Sequence, residues 1–541
     1  MVTRTDGQCR AGFRRATTPS AWAPLRVAIY RNLWVAMLVA NIGTWMQTVG
    51  AQWLLINERN ASTLVSLVQT ASTLPILLLA LPAGALADTL DRRRLLIAVQ
   101  FFIVSVGVAL TLLTATGHMP PALLLTLTFA FGVGQALTLP AWAAVIPDLV
   151  PRNLLQSASG LGSISVNVAR SVGPAVAGLL IAWTGVPLVF ALNTLAFLFF
   201  AVTLIRWRAD NARSVEVPER FTAALRAGGR YVRHSPIVQR LLLRALLFLV
   251  PGSALWALLP LIANQRLGLG AGGYGVLLAA LGAGAVAGGL VLPWVRTKFS
   301  PNLFLLSAGL IFGAAMLVVA LVPVEAVVLV ALVPAGLAWV TVLSNVNAEI
   351  QLFLPGWVRA RGLAVYQVVF AGGQAIGALV WGIVADATSL VLAHVAAALL
   401  MILGALTVKM WPLPDLRAVE RDPATHWPDL DLKHEPDPSV GPVMVVLTYT
   451  VREERRERFV AAMEEVRAAR QRTGAYRWGL FREGESTDLF VEIYELPSWD
   501  EHLRQHGGRL TKADQAAELR ALQHADGVPQ VSHLLPAEAN P

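Results

Sequence analysis

The chain has 541 residues, of which 55% are hydrophobic and only 14% charged, and its mean hydropathy is +0.59. That balance excludes an ordinary soluble protein, in which about a quarter of the residues carry charge. A net charge of +9 would suit nucleic acid, but the basic residues are spread between apolar runs, and the single cysteine, Cys9, excludes a disulfide framework or a cysteine-based metal site.

Residues 1–31 are basic and have no apolar core before Pro24, so they read as a tail without a cleavable signal; the first apolar run is then retained as a span. Runs long enough to cross a hydrocarbon core of roughly 30 Å are predicted at 33–57, 63–87, 95–116, 121–146, 155–182, 187–206, 238–263, 274–295, 302–322, 326–350, 360–385 and 388–410. They form two halves, 32–206 and 238–411, joined by an Arg-rich central loop at 207–237. Within it, 219–234 carries Phe221, Leu225, Tyr231 and Val232 among arginines and reads as an amphipathic helix on the membrane surface. The expected fold class is an all-α bundle of twelve transmembrane helices, six plus six, followed by a small α+β domain.

One side of this bundle collects Arg26, Arg31, Arg92 to Arg94, Arg152, the central-loop arginines, Arg296, Lys298, Arg359 and Arg361, whereas the other has little beyond Arg59 and Arg266. By the bias of Lys and Arg toward the cytoplasm, both termini are expected inside the cell membrane. A shift of 204 residues places Gly84 on Gly288, Gly132 on Gly336, Pro151 on Pro355, Gly173 on Gly377 and Gly178 on Gly382. Two related halves around a central path is the architecture of alternating-access carriers.

Three groups of residues carry the functional expectations. Gly84 and Asp88, followed by Arg92, Arg93 and Arg94, put a carboxylate and a basic cluster at the membrane boundary, where they form either a gate or a topology signal. Leu292 stands at the equivalent of Asp88, so any switch is asymmetric. Gly173, Pro174 and Gly178 mark a weakened turn in the fifth helix, either a hinge or a kinked packing site. Arg170 lies deep in the same span and needs a partner or water. With Asn41, Gln47, Gln52, Gln135, Asn167, Asn345, Asn347, Glu349, Gln367 and Gln374 it makes a candidate substrate and proton pathway, although an amide alone serves equally as glue between helices. Arg240 and Arg244 are expected to snorkel to the interface and His394 to be packed.

The loop from Gly84 to Arg94 resembles the signature of the major facilitator superfamily, except that Asp91 stands where that family usually has glycine. Pro140 to Arg152, the run through Asn167, Arg170, Gly173 and Pro174, and Phe190 to Asn193 together resemble its branch of enterobactin-exporter and macrolide-efflux-like carriers, the transmembrane secretion effector type. That resemblance implies export of a small organic molecule, such as a siderophore or macrolide, driven by a proton gradient and without a cofactor. An importer on the same scaffold is the alternative.

After Trp411 the composition changes. Residues 412–442 are rich in Pro and Asp and read as a linker, and 443–541 as a cytoplasmic domain. Val443–Val451, Arg455–Arg472, Tyr476–Arg482, Leu489–Leu496, a helical stretch 498–525 broken near Gly507-Gly508, and Val528–Leu535 give strand, helix, strand, strand, helix, strand, a ferredoxin-like order. Ser498 to His506 resembles the antibiotic-biosynthesis-monooxygenase type of dimeric α/β-barrel domain. This implies a homodimer through the tail, or, if the tail is an enzyme or sensor, a pocket containing Trp499, His502 and His506. The expected partners are a small organic substrate, protons and the lipid bilayer, and not nucleic acid.

Overall fold

The structure is a computed structural model describing residues 20, 22–207, 228–413, 424 and 436–537, without the side chains at 80–81, 85, 87–89, 152, 293–297 and 360. Among the described residues the long helices of the first part are α1 Ala28–Leu54, α2 Ala61–Thr89, α3 Arg92–Ala115, α4 Pro121–Leu149, α5 Leu155–Thr184, α6 Val186–Arg206, α7 Pro236–Leu261, α8 Ala271–Lys298, α9 Pro301–Leu321, α10 Glu325–Phe353, α11 Gly356–Ala387 and α12 Leu390–Leu406. Proline at the first or second position starts α4, α6, α7 and α9, where its missing N–H has no partner to lose.

Ten of these helices are long and apolar enough to cross a membrane. The other two differ for identifiable reasons. The α1 helix carries Arg31, Asn32, Asn41, Gln47 and Gln52, and α12 has only 17 residues. Residues 228–233 are helical, so the end of the expected surface helix is present; the rest of that segment, like most of the linker, lies outside the described residues.

The 204-residue shift reappears as matched crossings. An added Cβ on Gly132 would meet Pro75 and the Ala71 carbonyl of α2, and one on Gly336 would meet the Leu281 carbonyl of α8. Gly173 admits Ile42 and Trp45 of α1, and Gly377 admits Val250 and Ser253 of α7. Gly178 lies against Ala271 and Gly275 of α8, and Gly382 against Ser62 and Ser66 of α2. Each pair marks the same contact in the two halves, and the last pair joins the halves to each other. Without a side chain at these points the backbones approach closely, which gives dispersion and packing in lipid, where hydrophobicity supplies no drive between helices.

The tail is a four-stranded antiparallel sheet, order β2-β3-β1-β4, built from β1 Val443–Thr450, β2 Arg477–Arg482, β3 Leu489–Leu496 and β4 Asp526–Leu534. Helices α13 Arg456–Thr473, α14 Trp499–Arg504 and α15 Lys512–Leu522 accompany it. Strand alternation decides the core: Val443, Val445, Leu447 and Tyr449 are buried with Phe459, Met463 and Val466 of α13. The expected break falls at Gly507 and Gly508, the latter at φ 125°, a conformation glycine reaches without strain.

Arg244 corrects one expectation. Instead of snorkelling it is buried and donates to the carbonyls of Gly404, Thr407 and Trp411, ending α12 where the helix dipole favours a cation. His394 is fully buried within α12, as expected of a packed residue.

Candidate functional site

The site is set by where the two halves touch. At the end away from the basic residues, Gly178 of α5 meets Gly275 of α8, and Gly282 of α8 meets Ser171 of α5. On the other flank Asp386 of α11 accepts from the backbone N–H of Ser62 at 3.2 Å and of Thr63 at 2.8 Å, at the start of α2. Asn60, the N-cap residue of α2, makes no side-chain cap bond, so the capping carboxylate comes from the opposite half. Deeper, Gln69 donates to Gln374 at 3.1 Å and Thr70 to the Ala375 carbonyl at 2.9 Å. Toward the basic end the contacts thin out: a Cβ on Gly84, Gly160, Gly162 or Gly289 would meet nothing within 4 Å, and Leu78 and Leu290 are exposed. Among the described residues the close contacts between the halves therefore gather at the end away from the basic residues.

At mid-depth Arg170 lies beside two tryptophan rings, its guanidinium carbon 5.6 Å from the centre of Trp45 in α1 and 5.9 Å from that of Trp256 in α7. The two rings are 5.7 Å apart, and Trp256 continues to Trp339 of α10 at 5.4 Å. One helix from the first half and two from the second thus build a continuous aromatic wall beside a cation.

The expected pathway amides divide. Asn41 donates to Ser165 Oγ at 3.0 Å, Gln135 to Thr44 Oγ1 at 3.1 Å, and Asn167 to the Ser163 carbonyl at 3.0 Å. Gln47 accepts from Asn193 of α6, and Gln52 accepts at 2.7 Å from the Tyr274 hydroxyl of α8; both are buried. Asn345 is buried with its Nδ2 unpartnered among the described residues. Near the basic end Gln351 donates to Asn347, Glu349 is half-buried and Gln367 exposed.

In the basic loop, Asp91 caps α3 by accepting from the Arg94 N–H at 2.9 Å, which explains why aspartate suits that position. Arg92 donates to the Ala144 carbonyl at 3.0 Å and lies 3.6 Å from Asp148. Arg93 donates to the carbonyls of Leu204 and Ile205 at the end of α6. Both therefore brace helix ends of their own half. Arg94 is exposed, and the side chain of Asp88 lies outside the described residues. Gly173, Pro174 and Gly178 are buried in an unbroken α5, at crossings with α1 and α8.

Residues 19–541 match the transmembrane secretion effector family, so the match runs through both halves and the tail. The chain belongs to that family. A staphyloferrin A transporter of Staphylococcus aureus is 26% identical over 51% of this chain and 70% of its own length. The multidrug efflux pump Tap of Mycolicibacterium fortuitum is 27% identical over 71% of this chain and 95% of its own. A bacterial homologue of the lysosomal transporter Spinster, solved inward-facing and occupied, shares the fold with a TM-score of 0.58 at 16% identity, covering 72% of this chain and 97% of that one. This secretion effector is therefore a multi-pass membrane transporter of the major facilitator type and not an enzyme.

Its tail docks on the second half. Arg509 stacks 4.8 Å over Trp357 at the start of α11 and holds Glu501 through two bonds, at 2.8 and 2.9 Å, while Glu501 lies 3.5 Å from Arg230. Burial opposes the charge on Glu501, but the Arg509 bonds, with Arg230 and Arg504 nearby, hold its carboxyl below the ordinary value. Trp499, His502 and His506 do come together, with His533: ring centres are 4.9 Å apart for Trp499 and His502, and 4.3 Å for His502 and His506. Burial above all, with neighbouring histidines and Arg470, pushes His502 down to about 3 and His506 to about 2. His502 is buried and His506 half-buried, and both are neutral near pH 7. Among the described residues no group of His, Cys, Asp or Glu is placed to hold a metal.

Proposed function

We propose that this protein is a secondary active exporter that moves a small organic molecule out of the cell by proton antiport. In this reading all twelve helices cross the cell membrane and the basic end, with both termini, faces the cytoplasm. The observation that carries it is the close contact of the two halves at the far end, with Arg170 at mid-depth between helices of both halves. A carrier loading from the cytoplasm rests with its far end closed, and the name of a relative that is an efflux pump supports the direction. The asymmetry of Lys and Arg supports the orientation.

The energy source is tested in inverted vesicles, which should accumulate substrate only under an imposed proton gradient. Uptake indifferent to a protonophore removes antiport from the reading, and uptake only in right-side-out vesicles makes the protein an importer. Asp88→Asn should slow transport several-fold with normal membrane insertion, and a wild-type rate reduces the loop to a topology signal.

The tail is read as a pairing module. The sheet face away from the helices carries Met444, Val446, Val491, Ile493, Phe481 and Leu534, an apolar row suited to a second copy. Truncation after Pro442 should convert a dimer to a monomer in light scattering. An unchanged mass ends the pairing role.

A further inference from the structure

The central path holds donors without matching acceptors. Arg170 Nε and Trp256 Nε1 are buried and have no hydrogen-bond partner among the described residues. A guanidinium has five N–H donors and an indole one, and neither can accept. No carboxylate among the described residues forms an ion pair with Arg170; the acidic groups of the spans, such as Glu349, Glu325, Asp148 and Asp386, all stand near helix ends. The rings of Trp45 and Trp256 are near the outer limit of about 6 Å for a cation–π contact, worth up to roughly 2 kcal/mol each when desolvated. Arg170 is half-buried with its Nε shut off from solvent, and a cation only partly hydrated at mid-depth is costly without a partner. The rings offset only part of that. What completes the site is a ligand rich in acceptors and negatively charged, with a flat apolar portion to lie on the tryptophan wall.

We infer that Arg170, Trp45 and Trp256 form the substrate site, and that the substrate class is an organic anion: a carboxylate, or comparable oxyanion, attached to an aromatic or flat apolar body. This rests on the central-path reading above. It fits the geometry in a further respect. The three residues come from both halves, so a ligand held by them bridges the parts that must rock against each other, and it binds fully only when both are in place.

The test uses the full chain in lipid nanodiscs with 2-naphthoate and its uncharged amide, read by quenching of tryptophan fluorescence and by calorimetry. Wild type should bind the carboxylate at least about tenfold more tightly than the amide, as expected of charge-assisted bonds. Arg170→Gln should erase that preference and Arg170→Lys retain part of it. Arg170→Gln should also melt within about 5 °C of the wild type, since Arg170 makes no ion pair among the described residues. A wild type without preference for the carboxylate, an unchanged preference in Arg170→Gln, or a melting point more than about 5 °C lower in that variant overturns the inference; the last result makes Arg170 a structural clamp. Proteoliposomes separate this from the transport reading. Wild-type protein that concentrates uncharged drugs but no anion overturns the anion site and leaves the exporter intact. Wild-type protein that shows the carboxylate preference yet concentrates neither compound supports the site and counts against export.

Discussion

Gly178→Val is expected to slow transport strongly while leaving the protein folded in the membrane. A Cβ at this position would lie 2.6 Å from the Ala271 carbonyl oxygen and 2.8 Å from the Gly275 Cα. Both are backbone atoms and cannot turn aside as a side-chain tip can. The α5 and α8 helices must then separate at the end where the path is now shut. Overpacking of this kind costs about 1–3 kcal/mol. Here that energy falls on one conformation only, so it shifts the balance between states by roughly 5–150-fold. Spin labels at the far ends of α5 and α8 should report a widened distance, and transport should fall in parallel. The control is Gly160→Ala, where nothing lies within 4 Å of the added carbon, and which should melt with the wild type. A Gly178→Val protein that transports normally shows that this crossing does not need to close.

Asp386→Ala is expected to have the second largest effect, in the same direction. The carboxylate caps α2 from the other half through Ser62 and Thr63. Losing a helix cap costs about 0.5–2 kcal/mol, and an ionised acceptor stands at the upper end of that range. Because α2 and α11 must part here for the far end to open, loss of the bond favours opening by roughly 2–30-fold. Asp386→Asn keeps an acceptor oxygen and should give a smaller shift. If the labelled distance and the transport rate both stay at wild-type values in Asp386→Ala, the cap is incidental to gating.

The sequence had pointed to neither Asp386 nor Asp91 as capping residues, although both are polar residues at apparent helix ends. For Asp91 the signal was available: it stands three residues before Arg94, whose N–H it caps. For Asp386 no local signal exists, because its partner is 323 residues away. Gln47 and Gln52 show the complementary limit. An amide on a helix that is apolar all round gives no amphipathic stripe to say which way it faces. Both are compatible with a path or with glue, and their partners Asn193 and Tyr274 are visible only in the assembled bundle.

Chain sequence alone determined what depends on composition and spacing. The apolar runs marked the membrane-crossing segments, because hydrocarbon admits helices of a given length and little else. The constant offset of the glycines announced two halves, and strand alternation in the tail announced its core. What only the tertiary structure decided is how those halves lean. Which end is closed, and which residues from distant helices meet around Arg170, follows from contacts between segments more than a hundred residues apart, as for Trp45 and Arg170. Those contacts are made by glycines and tryptophans whose meaning depends on what faces them, and facing is a property of the assembled bundle.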